Sequence, residues 1–123
     1  MVLAVVDDLM FSSRIRAVAE RTGAAVRFAK SKEGALAEAR TLAPALVMID
    51  LDRAPLDPMG TIAAFKSDPA LRAIRLVGYV SHVHAERISE ARAAGCDTVL
   101  ARSAFVNALP ALLSGQPPEP GQS

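Results

Sequence analysis

The chain lacks several features that would point to particular classes of protein. It has no tryptophan and only one cysteine, Cys96, which excludes an intramolecular disulfide and a metal site built from several cysteines. The apolar residues 1–6 end at Asp7 and Asp8, far short of the ~20 residues that a membrane span needs. No basic region of a signal peptide precedes them. The sequence therefore predicts a cytoplasmic protein that does not associate with membranes.

The chain also has almost no net charge and few aromatic side chains. The formal net charge is +1, and the aromatic residues are four phenylalanines and one tyrosine. Such a chain offers neither a field that attracts phosphates nor a platform on which bases stack, so nucleic acid is not an expected partner. Its 51% hydrophobic and 22% charged residues, over 123 residues in all, predict one compact domain.

Apolar runs of strand length alternate with segments of helical period along the chain. This alternation predicts an α/β fold, a doubly wound five-stranded parallel sheet with helices on both faces. Three of the runs are continuously apolar, as expected for strands that are buried on both faces. The predicted strands are residues 2–6, 24–28, 46–49, 76–80 and 98–100.

The helical segments between these strands carry recognisable start and stop signals. After residue 113 the chain is rich in proline and glycine, which predicts a domain over residues 1–113 and a flexible tail over residues 114–123. The predicted helix starts are Ser12 or Ser13, Ser31, Pro58, Ala85 and Ser103.

Three carboxylates follow two of the predicted strands. Asp7 and Asp8 come after the first strand and Asp50 after the third, and parallel strands carry their carboxyl ends to one edge of the sheet. Like charges at that spacing raise one another's pKa values unless a cation neutralises them, and an all-oxygen cluster suits Mg²⁺. Taken singly, the aspartate pair could instead be a helix-capping turn, and Asp50 a solvated loop residue. Their joint placement favours a site.

Three segments together resemble the receiver domains of two-component response regulators. They are Val-Val-Asp-Asp at residues 5–8, Pro-Ala-Leu-Val-Met-Ile-Asp at residues 44–50, and Ala-Ala-Gly-Cys-Asp at residues 93–97. The resemblance covers roughly residues 1–113 and implies a flavodoxin- or CheY-like fold with strand order 2-1-3-4-5.

The resemblance also implies a set of site residues. Asp50 matches the phosphoacceptor, and Asp7 and Asp8 match the acidic pair that holds Mg²⁺, with Asp8 as the more direct ligand. The backbone carbonyl of Asp52 matches the remaining protein ligand of the metal.

The chain departs from the receiver pattern at three positions. Arg102-Ser103 stands where the family has Lys followed by cis-Pro, and Arg102 either pairs with the phosphoacceptor or points to solvent. Val80 stands where the family places a hydroxyl, so Ser81 is the candidate hydroxyl donor. Val99 stands at the aromatic switch position. These changes predict that phosphorylation is poorly transmitted.

The predicted function is a stand-alone receiver in a phosphorelay, not an enzyme, that accepts a phosphoryl group on Asp50 with Mg²⁺. The expected partners are a histidine kinase or phosphotransfer protein and a downstream protein, and a homodimer is left open. The first alternative is a pseudo-receiver that binds proteins without phosphorylation. The second is a phosphatase of the haloacid dehalogenase type, because residues 49–52 read Ile-Asp-Leu-Asp at the end of a strand.

Overall fold

The computed structural model describes residues 1–81 and 85–114 as five strands and five helices, with a 3-10 turn at Ala54–Leu56. The strands are β1 (Val2–Val5), β2 (Val26–Ala29), β3 (Leu46–Asp50), β4 (Arg75–Val80) and β5 (Thr98–Ala101). The helices are α1 (Leu9–Thr22), α2 (Lys32–Leu42), α3 (Pro58–Ser67), α4 (Ala85–Ala94) and α5 (Arg102–Leu113).

The strands form one parallel sheet in the order β2-β1-β3-β4-β5, which confirms the predicted fold class and strand order. Two apolar layers cover it. One contains residues of α2, α3 and α4, and the other contains residues of α1 and α5. β3 is therefore the central strand, and its five residues are all buried. This placement explains its continuous apolar run.

Two predicted helix starts are wrong. α1 begins at Leu9, before Ser12, because the Asp8 side chain accepts hydrogen bonds from the backbone N–H groups of Met10 and Phe11. α5 begins directly after β5 and has no side-chain cap, so Ser103 lies inside the helix. Because β5 is followed directly by α5, no loop separates them, and the N-cap position is occupied by Ala101 instead of a serine.

The other helix starts agree with the sequence. Ser31 caps α2 by accepting from Gly34 N at 3.0 Å, Pro58 is the first residue of α3, and α4 begins at Ala85. Cys96 is buried, and its thiol donates to the Thr98 carbonyl at 3.2 Å. Burial raises the pKa of that thiol to about 11, as expected for a structural and unreactive cysteine.

Across residues 1–81 and 85–114, no helix has both the length and the apolar character that crossing a membrane requires. The predicted tail over residues 114–123 lies outside the described residues, apart from Ser114 at the end of α5.

Candidate functional site

Asp50 is the last residue of β3 and lies at the carboxyl edge of the sheet. The residue is only 7% exposed, and its Oδ1 accepts a hydrogen bond from Asp52 N at 3.0 Å. No described residue donates to Oδ2. In the described part of the chain, only one fully buried side-chain polar atom lacks a partner, and that atom is the Tyr79 hydroxyl. Because Oδ2 of Asp50 also lacks a partner but is not in that class, it is not fully buried. One carboxylate oxygen is thus held in place while the other is accessible.

The surroundings of Asp50 favour its protonated form. Burial raises the pKa of Asp50 most, and the charges of Asp52 and Asp7 raise it further. The hydrogen bond from the Asp52 N–H and the charge of Arg102 act in the opposite direction. A carboxylate in such an environment is more basic than a solvated one.

Asp7 is paired with Arg53, a residue that lies 46 positions away in the chain. The Nε and Nη2 atoms of Arg53 donate to Oδ1 and Oδ2 of Asp7 at 2.8 and 3.0 Å. Both oxygens are therefore engaged in one bidentate pair, a strong geometry for a charge-assisted contact. The same hydrogen bonds lower the pKa of Asp7.

Asp8 serves two neighbours. Its Oδ1 caps α1, while Oδ2 lies 3.7 Å from Nη2 of Arg102. The Arg102 guanidinium also lies over the ring of Phe11, 4.2 Å from its centroid. Arg102 therefore faces the acidic pair and Phe11, and its charge reaches Asp50 without a hydrogen bond. The helix-capping interpretation of the aspartate pair is correct for Asp8.

The side chain of Asp52 is tied to the opposite side of the site. Its Oδ2 accepts from the backbone N–H and the hydroxyl of Ser81 at 2.5 and 2.7 Å, and its Oδ1 accepts from Nη1 of Arg87 at 3.1 Å. Burial raises the pKa of Asp52, but these bonds outweigh burial and lower it. The Ser81 hydroxyl is thus engaged by Asp52, and its predicted role toward a group on Asp50 stays a prediction.

Asp52 and Arg53 are neighbours in the chain, but they do not pair with each other. Arg53 bonds to Asp7, and Arg87 bonds to Asp52. Sequence reasoning missed Arg87 entirely, because its partner lies 35 positions away and no motif links the two.

Asp7, Asp8 and Asp50 offer the oxygen ligands that a hard cation such as Mg²⁺ prefers, so their chemistry fits the predicted metal. Their present contacts compete with it, since Arg53 engages Asp7 and the start of α1 engages Asp8. Over residues 1–81 and 85–114, no three acidic, histidine or cysteine side chains converge as a ligand set. A cation at Asp7 would therefore have to compete with Arg53.

Two of the three positions that depart from the receiver pattern, Val80 and Val99, lie in the core. Val80 is 1% and Val99 3% exposed, and both belong to the apolar layer beside α3 and α4. Neither position supplies a hydroxyl or an aromatic ring to the site. Tyr79, which the sequence did not single out, carries both a hydroxyl and an aromatic ring. Its side chain lies on the other face of the sheet, where its ring stacks on Phe105 with centroids 4.3 Å apart.

No protein-family model matches the chain, and no curated protein matches it by sequence. Solved structures do match. The response regulator from Hahella chejuensis has a TM-score of 0.82 and 22% identity, over 92% of this chain and 91% of that chain. This chain has the response-regulator receiver fold.

Two other solved structures match over a similar share of the chain. The phosphorylated cyanobacterial phytochrome response regulator RcpA has a TM-score of 0.73 and 21% identity, over 93% of this chain and 88% of that chain. The Mn²⁺-bound form of response regulator Rcp1 has a TM-score of 0.72 and 18% identity, with the same coverage of 93% and 88%. At these identities the likeness confirms the receiver fold that the sequence motifs suggested.

Proposed function

We propose that this chain is a receiver module that accepts a phosphoryl group on Asp50 and signals through contacts with other proteins. The observation that carries the proposal is the position of Asp50. It ends the central strand of a receiver fold with Oδ1 held by Asp52 N and Oδ2 accessible. RcpA, which has the same fold, is known in a phosphorylated form.

In the proposed reaction, Oδ2 of Asp50 attacks the phosphorus of a phosphorylated histidine on a kinase or phosphotransfer protein. An oxygen–phosphorus bond forms and the phosphorus–nitrogen bond breaks, and the electron pair leaves on the imidazole nitrogen. The Asp52 N–H keeps the carboxylate oriented. Arg102, which faces this edge of the sheet, is the cation best placed to offset charge on the transferred group.

Mg²⁺ is the cation proposed for this site, held by Asp7 and Asp8 together with Asp50 and the Asp52 carbonyl. When bound, it would screen the repulsion between the carboxylate and the phosphoryl donor. The Mn²⁺-bound Rcp1 structure supports a divalent cation in this fold. A cytoplasmic location and a domain bounded at residue 113 remain predictions from the sequence.

The test is phosphorylation by a small-molecule phosphodonor with Mg²⁺, read by intact mass. The wild-type chain should gain one phosphoryl group, and an Asp50→Asn variant should gain none. Gain of the group by both proteins would place the acceptor elsewhere. Steady hydrolysis of a phosphomonoester would instead support the dehalogenase-type phosphatase.

The pseudo-receiver is the second candidate, and a specific observation favours it. The charges of Asp7 and Asp52 are already compensated by Arg53 and Arg87, so the pocket is stable without metal or phosphate. A wild-type chain that gains no mass at saturating phosphodonor would support this candidate over the phosphoacceptor.

A further inference from the structure

We infer that Arg53 is a built-in counter-ion of the acidic pair, and that it competes with a divalent cation for Asp7. The inference deepens the proposed receiver function, because it concerns the cation at that same site. It rests on three observations about Arg53: its bonds, its surroundings and the way in which its backbone is held.

The hydrogen bonds of Arg53 engage the carboxylate oxygens of Asp7 that a metal ion would need as ligands. Nε and Nη2 take both oxygens of Asp7, at 2.8 and 3.0 Å. The bidentate guanidinium uses one acceptor site on each oxygen of Asp7 and places a positive charge against the carboxylate. A metal ion at Asp7 would therefore meet both competition for these oxygens and repulsion from Arg53.

The Arg53 guanidinium lies in the electrostatic field of three carboxylates. Asp50 and Asp8 lie close enough for their charges, together with that of Asp7, to act on the guanidinium. These are the three carboxylates that the sequence predicts as metal ligands. The guanidinium thus carries a positive charge among them, as the metal would.

The backbone at Arg53 is anchored on both sides. On one side Asp52 is bonded to Ser81 and Arg87. On the other, Leu56 is fully buried, and its N–H donates to the Arg53 carbonyl at 3.0 Å as the 3-10 turn closes. The loop therefore delivers the guanidinium to Asp7 at a small entropic cost.

The chain also contains a control pair of similar exposure. Arg40 binds a single oxygen of Asp68, Oδ2, through Nε and Nη2 at 3.3 and 3.0 Å, between the last turn of α2 and the end of α3. The side chains of this pair are 55% and 21% exposed, against 49% and 19% for Arg53 and Asp7. Replacing either arginine changes the net charge equally, but only Arg53 lies at the acidic pair.

The test measures metal binding in the absence of any phosphodonor. Mn²⁺ binding is monitored through the decrease of the electron paramagnetic resonance signal of the free ion, and Mg²⁺ binding is measured by calorimetry. Arg53→Met should bind both ions roughly tenfold more tightly than wild type, because the competing charge is gone and the apolar stem is kept. Arg40→Met should bind as wild type does. Arg53→Lys should fall between, because lysine keeps the charge but not the fork.

Equal metal affinities of wild type and Arg53→Met would overturn the inference. Failure of both proteins to bind either metal ion would overturn it as well. A second measurement does not depend on a folded variant. The Nε–H resonance of Arg53 in the wild-type chain should shift on saturation with Mg²⁺, and an unchanged resonance at saturation would also overturn it. Since no phosphodonor is present, a chain that binds metal as expected but is never phosphorylated loses only the proposed function.

Discussion

Asp50 and Tyr79 are partners in the register of β3 and β4, and they lie side by side at the carboxyl end of the sheet. Burial and the nearby charge of Asp50 raise the pKa of the Tyr79 hydroxyl. That hydroxyl is buried and has no hydrogen-bond partner among the described residues. A buried donor without a partner is costly, so the Tyr79 hydroxyl should contribute nothing favourable to the stability of the fold.

Tyr79→Phe should leave stability unchanged or raise it by up to about 1 to 3 kcal/mol, because it removes a hydroxyl that makes no bond. Tyr79→Leu is the contrasting variant. It loses the ring contacts with Phe11 and Phe105 and should destabilise the fold. Urea unfolding measures both. A clear loss of stability in Tyr79→Phe would mean that the hydroxyl bonds to Asp50 in solution.

Asp50→Asn should stabilise the protein at neutral pH. An acid whose pKa is higher in the folded state binds its proton more tightly when folded, so ionised Asp50 costs stability. That cost appears as the pH rises from the ordinary value of 3.8 through the raised pKa of Asp50. The gain from Asp50→Asn should therefore be present near pH ~7 and vanish near pH ~3, as measured by denaturant unfolding at both values.

Asp7→Asn provides a control of opposite sign. The bonds from Arg53 lower the pKa of Asp7, so its ionised form contributes stability above the ordinary pKa, and that contribution is lost as the pH falls through the lowered value. Asp7→Asn should thus destabilise the protein at neutral pH and have little effect in acid. If both variants changed stability in the same direction at neutral pH, the assigned charge environment would be wrong.

Asp8→Ala should cost about 0.5 to 2 kcal/mol, because α1 loses the side chain that accepts from Met10 N and Phe11 N. Asp8→Asn keeps a capping oxygen and should cost much less. Thermal and urea unfolding would distinguish the two. Equal losses would show that the charge facing Arg102, rather than the cap, is what stabilises this end of the helix.

Gly95→Ala should destabilise the protein by about 1 to 3 kcal/mol through backbone strain, with a steric clash in addition. Gly95 has φ +117°, and a Cβ there would lie 2.5 Å from Cγ of Lys66. Gly23 is the control, since its φ is +71° but no atom lies within 4 Å of the added Cβ. Gly23→Ala should therefore cost less, and equal losses would exclude the Lys66 contact as a cause.

A beryllofluoride mimic of the phosphoryl group should shift backbone amide resonances mainly in residues 100–105 and only slightly in residues 85–94. A ligand shifts an equilibrium only through contacts that differ between the two states. Val80 offers no hydroxyl, and the Ser81 hydroxyl is bonded to Asp52, whereas Arg102 begins α5 beside the site. Comparable shifts in both segments, measured by NMR, would reveal a switch through α4.

Local sequence pattern was sufficient to predict several features of the fold and of the site. Continuous apolar runs predicted the buried strands, because a strand covered on both faces has no polar side. The alternation with helical segments predicted the parallel sheet, and the resemblance to receiver domains implied its strand order. Strand-end placement predicted that Asp7 and Asp50 share an edge of the sheet. Ser31 and Pro58 marked helix starts through chemistry within a single turn.

Which charged side chains pair with one another depends on the three-dimensional path of the chain. Arg53 adjoins Asp52 in sequence but binds Asp7, and Asp52 binds Arg87 instead. The path of a loop in space determines which groups its long polar side chains can contact, and that path leaves no periodic signal in the sequence. The same holds for Tyr79, whose hydroxyl is exposed to the charge of Asp50 only because the register of β4 against β3 sets the two residues side by side.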